Sequence, residues 1–293
     1  MEDAIKYSVV IPVFQAKDYI QASVIRVTRT MDAIGLRYEI ILADDHSTDG
    51  TWEMLKGIKA QYPQVRIAQL SANIGQTPAT YLGATLAKGA LIITLDDDLQ
   101  HPPEEITKLI AAFEANDVDV VFGDPEQRHH PNKQHPWLVA VGKFMFHRVF
   151  LRQYRKLNFF TTFRLFKRDL LSANGGPWSH LFFIWQLSPG RAIHTPTKHE
   201  PRKQGTSNHT MMRLIRHFSP FLWYFALRTI VVLQVLLLIG ALAYYGYQYQ
   251  GEDIDLSNGY WILALAVVVF VAKQAVFAKL RSLENLNSTI TEG

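Results

Sequence analysis

Five short runs of apolar, largely β-branched residues recur through the first half of the chain. They are YSVVIPV (Tyr7–Val13), YEIILA (Tyr38–Ala43), VRIAQL (Val65–Leu70), LIITL (Leu91–Leu95) and VDVVF (Val118–Phe122). Runs this short and this continuous predict strands covered on both faces. Between the first two, Ile20, Val24, Val27, Met31 and Ile34 repeat at helical spacing; after the second, Trp52, Leu55 and Ile58 do the same. Ser47, Thr48 and Asp49 stand where that second helix needs a cap. Pro102 and Pro103 open a further helix, with Glu104 and Glu105 in its first turn, where carboxylates are favoured. Strand–helix alternation predicts an α/β domain built on a mostly parallel sheet.

The pattern changes towards the C-terminus. TIVVLQVLLLIGALAYYGYQ (Thr229–Gln248) has no charged residue, and YWILALAVVVFVAKQAVFAKL (Tyr260–Leu280) has none before Lys273. Both are apolar on all faces and long enough, at about 20 residues, to cross the hydrocarbon of a bilayer. The connecting loop GEDIDLSNG carries three acids and no Lys or Arg, whereas Arg213, Arg216, Arg228, Lys279 and Arg281 flank the spans. That asymmetry predicts cytoplasmic termini, with Tyr244, Tyr245, Tyr247, Tyr260 and Trp261 in the outer aromatic belt. The expected organisation is a catalytic domain over 1–207, an amphipathic juxtamembrane segment over 208–228, spans over 229–248 and 260–281, an external loop over 249–259 and a cytoplasmic tail over 282–293.

Composition narrows the chemistry. The absence of cysteine excludes disulfides, zinc–thiolate sites and thiol nucleophiles. A net charge of +4 suits anionic partners in general, and no nucleic-acid partner is expected. The 48% hydrophobic content and a mean hydropathy near zero reflect the C-terminal segments. The first strand-like run starts at Tyr7, so no cleavable signal peptide is expected.

Polar clusters stand at the carboxyl ends of the predicted strands, where parallel α/β sheets bind their ligands. The densest is Asp96, Asp97 and Asp98, spaced D-x-D after the fourth strand. Carboxylates so close repel one another unless a cation sits among them. Asp96 and Asp98 can share Mg²⁺ or Mn²⁺, Gln100 can add an oxygen, and phosphate oxygens can complete the shell. Asp44, just after the second strand, can accept a hydrogen bond from a base or a ribose hydroxyl. Neither G-x-G-x-x-G nor G-x-x-x-x-G-K-[ST] occurs, so metal and cationic side chains must hold any diphosphate.

VVIPVF, ILADDHSTDGT, NIGQ, ITLDDDLQHPPEEI, FRLFKRDLL and EPRKQGTSNHTMMRLI follow one another along nearly the whole chain. In this order they resemble family 2 glycosyltransferases, most of all those that glycosylate polyprenyl phosphates. The resemblance implies a GT-A fold, with Pro12, Phe14, Asp44 and Asp97 lining the nucleotide pocket and Asp96, Asp98 and Gln100 around the metal. It places Arg202, which heads an R-x-x-G-x-S segment with Gly205 and Ser207, near the phosphates. Lys203 or His209 stands in for a lysine that relatives usually have after that segment. Gln15 and Ala16 differ from the acidic or Asn residues common after the first strand, and Thr162 replaces an Asp frequent before FRL. A lipid monophosphate needs no general base, because its second pKa, near ~6, leaves it mostly dianionic at neutral pH. Counter-charge for two phosphate groups would come from Arg164, Arg202 and Lys203; the competing reading of Arg164 is a surface charge on an edge strand.

The expectation is therefore a cytoplasm-facing enzyme of the bacterial inner membrane, possessing Asp98, Arg164 and Arg202 as catalytic residues. It transfers a sugar from a nucleotide donor, UDP-sugar first and GDP-mannose second, to undecaprenyl phosphate, and a homo-oligomer is compatible with it. A polysaccharide synthase is disfavoured by the absence of Q-x-x-R-W, and a non-catalytic scaffold by the intact acid pair. KFMFHRVFLRQYRK (Lys143–Lys156) reads as an interfacial or ordinary surface helix, HTMMRLIRHFSPFLWYF (His209–Phe225) as a juxtamembrane helix, and RHHPNKQH as a loop rather than a metal site.

Overall fold

The computed structural model describes residues 4–126, 161–172, 190–201 and 290–292, together with Leu236, Ile239, Gly240 and Val271. The chain divides into two units, one of Met1–Thr206 with Thr289–Gly293 and one of Ser207–Ser288. The first contains strands β1 (Tyr7–Val13), β2 (Tyr38–Asp44), β3 (Val65–Leu70), β4 (Leu91–Thr94), β5 (Val120–Pro125), β6 (Arg164–Lys167), β7 (Ala192–Thr197) and β8 (Ile290–Glu292). Its helices are α1 (Ile20–Ile34), α2 (Thr51–Gln61), α3 (Gln76–Leu86), α4 (Ile106–Glu114) and the four-residue α5 (Asp169–Ser172).

One eight-stranded sheet runs in the order β7-β5-β6-β4-β1-β2-β3-β8. β1 pairs in parallel with β2 and β4, β2 with β3, and β5 with β7. β6 is antiparallel to both β4 and β5, and β8 is antiparallel to β3. The carboxyl ends of six strands and the amino ends of β6 and β8 thus lie along one edge. Every residue of β1 is buried, as a central strand requires. Val9, Ile11 and Val13 join Val24, Val27 and Met31 of α1 in the main core. On the other face, α3 lies so close that a Cβ on Gly83 would stand 2.5 Å from Val10 Cγ1.

At the opposite edge a buried carboxylate organises three segments. Glu39, 3% exposed, accepts hydrogen bonds from the Ser8 hydroxyl at 2.6 Å, the Lys88 N–H at 2.6 Å and Arg66 at 3.1 Å. Arg66 also donates to the Leu86 carbonyl, and the Gly89 N–H to Ser8 Oγ. These bonds fasten the turn from α3 into β4, which carries the acidic cluster at its far end.

Asp119 closes the β5–β6–β7 side. It accepts from Arg191 at 2.6 and 2.9 Å and from Lys167 at 2.7 Å. Arg191's hydrogen bonds, then Lys167, outweigh burial and draw its carboxyl from 3.8 down to about 2. A lowered folded-state pKa stabilises the fold above the ordinary value, and this contribution fades as pH falls from about 4 to about 2. Asp119→Asn is expected to lower the melting temperature at pH 7, with the gap from the native protein closing across that acid window. A gap independent of pH would refute the ion-pair account.

β1 and β3 have the expected bounds. β2 runs one residue further, to Asp44, β4 ends one residue earlier, and β5 is shifted to Val120–Pro125. In the second unit, Leu236, Ile239, Gly240 and Val271 are helical; Leu236, Ile239 and Val271 are 58%, 56% and 59% exposed. Among the described residues no helix is long and apolar enough to cross a membrane. The segments 229–248 and 260–281, apart from those four residues, lie outside the described residues, as do Lys143–Lys156, His209–Phe225 and RHHPNKQH.

Candidate active site

Three loops at the carboxyl edge share an unusual backbone. Among the described residues, the non-glycine positions of positive φ are Gln15 (54°), His46 (58°) and Leu99 (58°). They follow β1, β2 and β4 in turn. Left-handed backbone at such residues costs about 1–3 kcal/mol and persists where surrounding bonds enforce it. Those bonds are present. The Gln15 N–H donates to Ser47 Oγ and its side-chain amide to Thr48, both at 2.9 Å. The Ala16 N–H donates to Thr51 Oγ1 at 2.9 Å. The loops after β1 and β2 are one stitched surface.

The acidic turn sits beside them. Asp96 lies two residues past the end of β4 and is partly exposed. Its carboxylate accepts from the Gln76 side-chain amide and, at 2.6 Å, from the Thr162 hydroxyl. Asp97 points towards β1, accepting from the Phe14 N–H at 3.4 Å, while its carbonyl accepts from the Ser23 hydroxyl at 2.7 Å. Asp98 is 8% exposed, and its Oδ1 accepts from the Gln100 N–H at 3.0 Å. The Gln100 carbonyl accepts from the Glu200 N–H at 2.7 Å, which brings the segment leaving β7 against the turn. His101 reinforces that junction, stacked on Phe163 with ring centroids 5.1 Å apart and edge-on to His199 at 5.0 Å.

Phe14, Asp97, Asp96, Asp98 and Gln100 are therefore brought together, and Pro12 lies buried in β1 directly behind them. Arg202, Lys203 and Ser207 lie outside the described residues. Arg164 is 3% exposed in β6, between β4 and β5, which corrects the surface-charge reading. Burial lowers its pKa to about 10, and the negative charge of Asp96 opposes that shift. The guanidinium, opposite Thr94 in the β4–β6 register, thus carries a buried positive charge that interacts with Asp96.

Asp44 and the cap of α2 have surroundings that the sequence does not show. Asp44 is fully buried and already engaged: it accepts from the Ser47 N–H at 3.1 Å, the Ser47 hydroxyl at 2.5 Å and Gln69 at 2.7 Å. It shapes the turn at the carboxyl end of β2. The cap of α2 also differs. Gly50 occupies the N-cap, with φ 92°, and Asp49 accepts from the Thr51 N–H at 3.0 Å. Ser47 serves Asp44 instead, because a buried carboxylate needs donors more than an exposed helix end does.

The donor set suits a hard cation, since Asp96, Asp98 and the Gln100 side chain offer only oxygen as ligand atoms. Among the described residues, no three His, Asp or Glu side chains form a ready-made metal cage. A cation here would take one or two carboxylates and complete its shell with water and substrate phosphate, as Mg²⁺ does. Gln76 and Ser23 were not foreseen as part of the site, and Thr162 was noted only as a departure from a frequent Asp. Gln76, in the NIGQ motif, and Thr162, before FRL, each stood within a segment that carries the resemblance.

A mostly parallel α/β sheet with an Asp-x-Asp turn at its carboxyl edge defines a GT-A-like glycosyltransferase domain. Residues 8–175, more than half of the chain, match the sequence model of "Glycosyl transferase family 2", and the chain belongs to that family of enzymes. Its fold is similar to glucosyl-3-phosphoglycerate synthase from Mycobacterium tuberculosis, solved with Mn²⁺, UDP and phosphoglyceric acid. The TM-score is 0.55 at 15% identity, over 73% of this chain and 78% of that one. Mannosyl-3-phosphoglycerate synthase from Rubrobacter xylanophilus gives 0.53 at 14%, over 72% and 70%. At such identities the likeness is one of fold.

Proposed function

We propose that this chain is a membrane-anchored inverting glycosyltransferase. It moves one sugar from a UDP-sugar to a polyprenyl phosphate, undecaprenyl phosphate in a bacterium, on the cytoplasmic face of the inner membrane. The observation that carries this reading is the Glu200–Gln100 hydrogen bond. It ties the acidic turn to the segment that runs directly into Arg202, Lys203, Gly205 and Ser207, and then into the apolar stretches 229–248 and 260–281. Arg202 follows Glu200 by two residues in the chain. The exposed helical Leu236, Ile239 and Val271 suit contact with lipid.

The reaction is one in-line displacement. A phosphate oxygen of the lipid bonds to the anomeric carbon on the face opposite the diphosphate. The bond from that carbon to the diphosphate oxygen breaks, and its electron pair leaves with UDP. Configuration inverts and no proton need move, so a hydroxyl at Thr162 in place of a carboxylate costs the reaction nothing. Arg164, Arg202 and Lys203 supply counter-charge to the two phosphate groups. Mg²⁺ or Mn²⁺ held by Asp96, Asp98 and Gln100 would add Lewis-acid stabilisation of the departing diphosphate. The Mn²⁺ and UDP of the M. tuberculosis enzyme support that assignment by analogy of fold.

The test is a panel of UDP- and GDP-sugars supplied with Mn²⁺ and undecaprenyl phosphate to inner-membrane vesicles containing the protein, read by the mass of the lipid product. A singly glycosylated lipid phosphate is expected from one UDP-sugar, in inverted vesicles and not in right-side-out ones. Transfer confined to a water-soluble acceptor, or a polymeric product, would overturn the proposal.

A further inference from the structure

β4 and β6 are antiparallel, with Leu91 opposite Lys167 and Thr94 opposite Arg164. Two more steps along the same register set Asp96 opposite Thr162. The pairing is reinforced where the ladder ends, since the Thr94 hydroxyl donates to the Thr162 carbonyl. Thr162 in turn donates its own hydroxyl proton to Asp96 Oδ2 at 2.6 Å. From the other side Gln76, the first residue of α3, donates its amide to Asp96 Oδ1. Each oxygen of the first acid thus accepts from a neutral donor, one from β6 and one from α3, and the charge of Arg164, buried in β6, also acts on it. Two donors from different elements fix the direction in which a carboxylate presents its remaining lone pairs.

We propose that Thr162 and Gln76 are positioning residues that clamp Asp96 in the orientation from which it binds the divalent cation. The inference rests on the metal-site reading above and goes beyond it, assigning the geometry of the acidic turn to a β6 hydroxyl and an α3 amide. Partners that orient metal ligands typically change metal affinity by about 10- to 100-fold when lost.

The test is a titration of the full-length protein in detergent with Mn²⁺ alone, following free Mn²⁺ by electron paramagnetic resonance. Thr162→Val keeps shape and β-branching but removes the donor; it is expected to weaken Mn²⁺ binding at least about tenfold. Thr162→Ser should restore binding to within about threefold of the native protein. Gln76 is exposed, so Gln76→Leu tests the other arm without burdening the fold; it should weaken binding in the same direction. The double variant should lose less than the product of the two, because both act on one carboxylate. Native affinity in Thr162→Val and Gln76→Leu, beside a clear loss in Asp98→Asn, overturns the clamp and leaves the metal site standing. Equal weakness in Thr162→Ser and Thr162→Val overturns the role of the hydroxyl. Native affinity in Asp98→Asn as well brings down the metal-site reading together with the clamp.

Discussion

Asp98→Asn is expected to reduce sugar transfer by about 10²- to 10³-fold, the cost typical of losing one preorganised electrostatic contact at a reacting centre, while the protein stays folded. The substitution is nearly isosteric at a site that is 8% exposed. The Gln100 N–H, which donates to Asp98 Oδ1 at 3.0 Å, selects the oxygen of the new amide as its acceptor. The amide nitrogen then points where the second carboxylate oxygen stood. Two donor hydrogens replace a negative oxygen, so the site loses a charge and gains a group that repels cations. UDP release measured against Mn²⁺ concentration, with a melting curve in parallel, checks this. Turnover close to native in a Mn²⁺-dependent assay would remove Asp98 from the mechanism.

Glu39→Ala should act at the other end of the domain and in the other currency, lowering stability by about 3 kcal/mol. One carboxylate, 3% exposed, serves Ser8 on β1, Arg66 on β3 and the Lys88 N–H before β4. Its removal strands a backbone donor and takes the partner from a cation. The estimate sits at the low end for broken buried pairs because Arg66 is 30% exposed and keeps its bond to Leu86. Glu39→Gln, which retains an acceptor oxygen, should lose less. Transfer per folded molecule should be native in both, since the network lies at the edge opposite the acidic turn. Denaturant midpoints provide the measurement, and an unchanged midpoint in Glu39→Ala would show that the network carries no net stability.

The strands most legible in the sequence are those whose environment is simplest. β1 and β3 are short apolar runs with clear breaks. α3 was invisible because QTPATYLGATL packs through small residues: it meets the sheet with Gly83 and buried Ala79, Leu82 and Ala84, leaving no stripe of large side chains. β6 has four residues, one of them a buried arginine, and β7, AIHTPT, offers no apolar run and is a strand through its pairing with β5. The acidic turn itself was legible, since three carboxylates after an apolar strand have few other places to be. Its supports were not. Thr162 stands beside Asp96 through an antiparallel register across the β4–β6 pair, and no local pattern encodes that. Asp44 shows the converse: its position at a strand end was readable, but its occupation by Ser47 and Gln69 depends on the folded turn.

The pairing of β8 with β3, Leu70 opposite Ile290 and Ala68 opposite Glu292, makes residues 207–288 an insertion within the first unit rather than an appendage to it. Shortening the chain at Thr206 to discard the apolar stretches would also discard β8. The outer side of β3 would then be an open row of unpaired N–H and C=O groups, a template for joining one molecule to the next. A version of the catalytic unit that stays dispersed in water has to keep 289–293 joined to the rest, so that the insertion is excised and the sheet remains closed by its own strand.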